Sequence, residues 1–120
     1  MSITVVNIKE PHNVFGGRRP GNRHPEWIKP GNYGWLGNPH PLGWCDICGR
    51  VHKREDAIAE HKKYLWARIQ HEPDFRSALM ALGNQRVACY CTPKSCHLEN
   101  VKAAQEWLET GGKELLHDRP

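Results

Sequence analysis

The chain has 120 residues with 38% apolar content and a mean hydropathy of -0.72, which fits one small domain with a modest core. No apolar run approaches the ~20 residues of a membrane span, and Met1–Asn7 has neither a basic start nor a long apolar stretch, so neither a membrane protein nor a secretory signal is expected. The net charge of +4 is carried by the first half: up to Lys53 there are 7 basic and 3 acidic residues, and after it 10 of each.

Ile3-Thr4-Val5-Val6-Asn7-Ile8 is β-branched and ends at Lys9-Glu10-Pro11, which predicts a short buried strand. From Pro11 to Lys53 helical periodicity is absent and turn signals recur. This segment holds eight of the eleven Gly, six of the nine Pro and three of the five Trp, namely Trp27, Trp35 and Trp44. A loop of this length in a small domain is functional or organised by a ligand. At least two of the three Trp are expected to cover the core. A sheet needs more than two strands, and Val14-Phe15 is where the loop is expected to supply one.

Ala57, Ile58, His61, Leu65 and Ile69 follow helical spacing and predict a helix over 54–71. Glu72-Pro73-Asp74 restarts a second helix lined by Phe75, Leu79 and Leu82, which ends at Gly83-Asn84. Gln85–Tyr90 reads as a strand. A third helix, capped by Ser95, carries Val101, Ala104, Trp107 and Leu108 and stops at Gly111-Gly112. Helices between strands favour parallel pairing. The expected fold is a small, single, Rossmann-like α/β domain over 1–112, with a long Gly/Pro/Trp-rich loop region, a zinc-knuckle insertion at about 44–53, and a loose tail at 113–120.

Three groups of residues are candidates for chemistry. The first is Cys89-x-Cys91-x4-Cys96-His97, which spans the end of a strand and the start of a helix. Ligands in open α/β sheets sit beyond the carboxyl ends of strands, and a helix N-terminus lowers a thiol's pKa. Cys91 and Cys96 are candidate nucleophiles or metal ligands with His97 as proton carrier, and Cys89 reads as a core residue.

The second is Cys45-Asp46-Ile47-Cys48-Gly49, a pair of thiols in a turn relieved by Gly, as in a zinc knuckle. His52 is the expected third ligand of one zinc ion, and His61 or a member of the C-terminal cluster would complete the set. A Cys2His2 DNA-binding finger is excluded, because Leu65, Trp66 and Ala67 stand where its second His belongs. His24-x-Glu26 ahead of the Cys pair imitates a zinc deaminase, but the Pro/Gly-rich segment between them cannot supply that fold's helix and strand. The absence of a signal and the odd count of five Cys point to reduced thiols or metal ligands in the cytoplasm.

The third is Gly16-Gly17-Arg18-Arg19-Pro20-Gly21, whose two guanidinium groups suit a phosphate or carboxylate. Gly37-Asn38-Pro39 is a second loop signal.

Taken in order, Gly17-Arg18, Gly37-Asn38-Pro39, Arg54-Glu55-Asp56-Ala57-Ile58, Cys89-Tyr90-Cys91-Thr92-Pro93 and Cys96-His97 resemble a family of small phage and bacterial proteins catalogued as domain of unknown function number four-three-two-six. The resemblance covers about residues 3–108. It differs at Lys94-Ser95 and Leu98, and Trp44–His52 looks like an insertion. It implies a fold and a shared site at Arg18, Asn38, Cys91, Cys96 and His97, without naming a reaction.

The expected function is a small zinc-containing enzyme acting on a nucleotide or nucleobase. Cys91, Cys96, His97 and Asn38 would be catalytic, and Arg18, Arg19, Gly37 and Asn38 would bind the ligand. The alternatives are a zinc-stabilised module for nucleic acid or a host protein, and a small-ligand sensor. The modest net charge places nucleic acid below the small molecule.

Overall fold

The computed structural model describes residues 2–18, 24–40, 43–90 and 96–112. Three parallel strands form the central sheet: β1 (Thr4–Asn7), β2 (Val14–Phe15) and β5 (Arg86–Cys89), in the order β1-β5-β2. In register, Val5 lies beside Val87 and Val6 beside Ala88 on one side of β5, and Val14 beside Val87 on the other. β5 is central because its sequence allows it. Val87, Ala88 and Cys89 are all buried, the continuous apolar run of a parallel strand covered on both faces.

Segment 8–13 returns the chain from the end of β1 to the start of β2, a short path made possible by strands of four and two residues. Asn13 secures the return: its N–H donates to Arg86 O at 2.9 Å and its Oδ1 accepts from Arg86 N–H at 3.2 Å. The Val14-Phe15 strand is therefore where the sequence places it.

The expected helix over 54–71 is α1 (Arg54–His71). The Asp56 carboxylate accepts the Lys53 N–H at 3.1 Å at its start. Ala57, His61, Leu65 and Ile69 are buried, as the periodicity requires, and Ile58 is half-buried. Arg68 is also buried, though its wheel position reads as polar. Its guanidinium donates to both Glu72 oxygens at 2.8 and 3.0 Å and to Tyr64 Oη at 3.0 Å, and lies 4.2 Å from the Phe75 ring centroid. Full pairing is what permits a charge to be buried. α2 (Pro73–Ala81) buries Phe75 and Leu79.

α3 (Leu98–Trp107) begins with His97 at its cap, and Ser95, the expected cap, lies outside the described residues. The chain continues through one wider turn to Gly112, with Gly111 at a φ of 116°. A two-stranded antiparallel hairpin of β3 (Gly43–Cys45) and β4 (Arg50–His52), which has almost no strand signal in the sequence, precedes α1. The expected loose tail at 113–120 lies outside the described residues.

The core joins Ile3 and Val87 of the sheet region to Leu65 and Ile69 of α1, Phe75 and Leu79 of α2, and Leu98 and Val101 of α3. Of the three loop Trp, Trp35 alone is buried, edge-on to Phe75 at 5.5 Å. Trp27 and Trp44 are 75% and 61% exposed, which corrects the expectation that two or more would cover the core. The result is a mixed α/β domain, and no helix among the described residues is long and apolar enough to cross a membrane.

One buried polar side chain joins three elements. Gln105 of α3 is fully buried; its Oε1 accepts the Ile3 N–H at 2.8 Å, and its Nε2 donates to Gly83 O at 2.7 Å and Leu79 O at 3.3 Å. Gln105→Leu keeps the volume but strands these partners at roughly 1–3 kcal/mol for each buried group left unsatisfied. Chemical denaturation is expected to show a loss of about that size, and an unchanged midpoint would refute the role.

Candidate functional site

Two constellations stand out, joined by one short segment. The first is a cluster of four donors. His40, Cys45, Cys48 and His52 each place a ligand atom within 4.8 Å of the other three. The hairpin builds most of it. Cys45 closes β3, Cys48 sits in the turn, Gly49 takes a φ of 68° so that its N–H reaches Cys45 O at 2.8 Å, and His52 closes β4. A residue with a side chain would be strained at Gly49.

His40 Nδ1 lies 3.5 Å from both Cys45 Sγ and Cys48 Sγ. A tetrahedral centre with metal–sulfur bonds of about 2.3 Å and metal–nitrogen bonds of about 2.0–2.1 Å has a nitrogen-to-sulfur edge of about 3.6 Å. His52 is 2% exposed, and both of its ring nitrogens are buried without a hydrogen-bond partner among the described residues. Such a group costs free energy unless something satisfies it. These four residues are placed to hold a metal ion. Burial lowers the His40 pKa, with Glu60 opposing, which keeps the imidazole in its ligating neutral form. Desolvation and the adjacent Cys45 thiol push the Cys48 thiol up, and a cation would reverse that.

His40 was not among the expected ligands. The available signal was a His five residues upstream of Cys45, whereas a finger-like reading looks for His downstream. His61, which was expected, stands outside the group. It is 1% exposed, its Nδ1 accepts from Asn100 Nδ2 at 3.2 Å, and its ring lies 4.9 Å from that of His97.

The second constellation lies at the carboxyl edge of the sheet. His97 Nε2 is 2.8 Å from Gly16 O and 3.1 Å from Leu36 O. Carbonyls only accept, so the proton sits on Nε2 and Nδ1 offers its lone pair toward Cys96 Sγ at 3.7 Å. His97 thereby ties the end of β2 and the Leu36 loop to α3.

The two loop motifs also meet directly. A Cβ on Gly37 would lie 2.6 Å from Arg18 Cγ and 2.8 Å from Arg18 Cα, so only Gly permits the contact. Gly16 is wedged likewise against Leu98 and Val87. The exposed Arg18 is near enough for its charge to lower the His97 pKa, an effect smaller than that of burial.

Asn38 is placed differently from its expected role as a ligand-orienting group. Its Nδ2 donates to Ala57 O at 3.1 Å and its Oδ1 accepts the His40 N–H at 2.9 Å. It therefore anchors the loop to α1 and sets the backbone of His40. Cys96 is 2% exposed and Cys89 3%, the latter buried as expected. Arg19 and Cys91 lie outside the described residues. His24 and Glu26, the deaminase imitation, pair with each other at 2.9 Å.

Burial lowers the pKa of His61 well below 6.5, helped by His97 and His40, and burial also lowers that of His97. A folded-state value below the unfolded one means that the unfolded chain binds more protons, so stability falls as pH drops through about 6.5. The unfolding free energy of the protein is expected to decline between pH 7.5 and 5.5, and His61→Gln is expected to reduce that decline. An identical decline in the variant would refute the contribution of His61.

Comparison with known proteins returns one family, described as a domain of unknown function (DUF4326) and matched over residues 9–107. No curated protein and no solved structure matches the chain. With most of its length inside that match, from the return after β1 to the end of α3, the chain belongs to the DUF4326 family.

Proposed function

We propose that the protein is a zinc-stabilised binding domain. Its hairpin is closed by one structural zinc, and its ligand site lies at the carboxyl edge of a minimal Rossmann-like sheet. The observation that carries the metal half is His52, with both ring nitrogens buried and unpartnered beside two thiols and a second imidazole. Two thiols and two imidazoles, their ligand atoms within 4.8 Å of one another, suit zinc among the common divalent ions. Four protein donors leave no open position, so the ion braces the fold and activates no water. Thiolate ligation by Cys45 and Cys48 also fits the reducing cytoplasm.

Binding is preferred to catalysis at the sheet edge on two grounds. Cys96 is nearly inaccessible, and His97 spends its one proton on two structural carbonyls. The 3.7 Å approach of Cys96 Sγ to His97 Nδ1 is what favours the second reading, an enzyme using that thiol, and it would need the edge to open.

Metal analysis of the purified protein is expected to give one zinc per chain. Cys45→Ser and His40→Ala are expected to lose it, with a large drop in stability, because structural zinc in small folds contributes on the order of 10 kcal/mol of apparent binding free energy. Cys96→Ser is expected to keep it. Zinc retained by Cys45→Ser, or lost only from Cys96→Ser, would move the metal to the other cluster and sink the reading.

A further inference from the structure

We propose that the sheet edge binds a mononucleotide, with its base on an aromatic corner formed by Phe15, Tyr33 and Tyr90 and its phosphate drawn to Arg18. This rests on the reading of that edge as a ligand site and names the ligand class.

Phe15 ends β2, and Tyr90 directly follows β5, so strand pairing brings both to the same edge. Tyr33 stacks on Phe15 at 5.7 Å with the planes 23° apart, while Tyr90 meets Phe15 edge-on at 5.8 Å and 77°. The two Tyr rings are thus set at a steep angle around a half-buried Phe. They are 56% and 72% exposed, more open than shielding Phe15 alone would require. Exposed aromatic rings at such positions present faces on which a planar base stacks.

The anion-binding group lies beside them. A Cβ on Gly17 would sit 2.4 Å from Phe15 Cζ, so the Phe ring lies back over the Gly17 backbone. Arg18 is the next residue in the chain, exposed and engaged in no ion pair among the described residues. A guanidinium matches phosphate through two parallel hydrogen bonds. The position is also where open parallel sheets hold their ligands.

A planar ring and an anion in one small ligand describe a nucleotide. A long nucleic acid would call for a basic surface tracking many phosphates, whereas the charges after Lys53 balance and the net charge is +4.

The test is titration of the zinc-loaded protein, followed by amide shifts and calorimetry. The probes are adenosine and uridine 5′-monophosphates, the corresponding nucleosides, inorganic phosphate and a short oligothymidylate. The monophosphates are expected to bind saturably and to shift the amides of residues 16–18 and 37. Nucleosides and phosphate alone are expected to bind at least tenfold more weakly. Arg18→Gln is expected to weaken the monophosphate toward its nucleoside while leaving nucleoside binding unchanged. Tyr33→Leu and Tyr90→Leu are expected to weaken both by about fivefold or more.

Several results would overturn the proposal: no saturable monophosphate binding, the same affinity in Arg18→Gln, or far tighter and steeply salt-dependent binding of the oligonucleotide. A fragment collection run on the same amides separates the two levels. If fragments shift them and nucleotides do not, the edge is a ligand site of another class. If nothing shifts them, the reading of the edge itself falls. Zinc content measured on each variant keeps loss of the metal apart from loss of the ligand.

Discussion

The His97 imidazole holds the carboxyl edge of this domain together. One N–H faces two carbonyls, one at the end of β2 and one in the loop before Asn38. Shared donation of this kind fixes the tautomer, and the tautomer fixes what the other nitrogen offers to Cys96. Burial keeps the ring neutral, so the arrangement survives without a counter-ion. The glycines around it follow from close packing at this edge: Gly16 lies against the Leu98 and Val87 side chains, and Gly37 against Arg18, too closely for a side chain on either. Basic, Gly-rich sequence that looks like a free anion loop is in part a packing requirement.

The donor cluster adds a second fixed point a few residues away. Leu36 accepts from His97, Gly37 packs on Arg18, Asn38 bonds to α1, and His40 faces the two thiols. Donor cluster and sheet edge are therefore linked by a single segment in which Leu36, Gly37, Asn38 and His40 are each held. The low apolar content of the chain becomes intelligible in that light. The hairpin has little core of its own, since Trp44, Ile47 and Val51 all face solvent, and the donors sit where a hydrophobic cluster would otherwise be needed.

Local patterning made much of this visible in the sequence. The α1 boundaries, the α2 restart at Pro73 and the β5 strand follow from periodicity and turn residues, and Val14-Phe15 follows from the need for a third strand. Cys45 and Cys48 were recognisable as a pair because their spacing is itself the signal. His40 was not, since nothing local distinguishes a ligand His from a surface one until the chain folds back. Arg68 and Gln105 were hidden for a similar reason: burial of a polar group depends on partners from other elements, which a helical wheel does not contain. The exposed Trp27 and Trp44 show the reverse, where residue type suggests core and topology leaves no core to join. The aromatic corner likewise exists only once β2 and β5 pair.

The segment from Leu36 to His40 also determines which lengths of chain the fold tolerates. Its residues serve two centres at once, and each contact is counted from the other end, so one added residue would put either Leu36 or His40 out of reach. The turn at Asp46–Gly49 answers to the donor cluster, and the return at 8–13 to strand pairing. Length variation within this architecture is thus confined to places that answer to one centre.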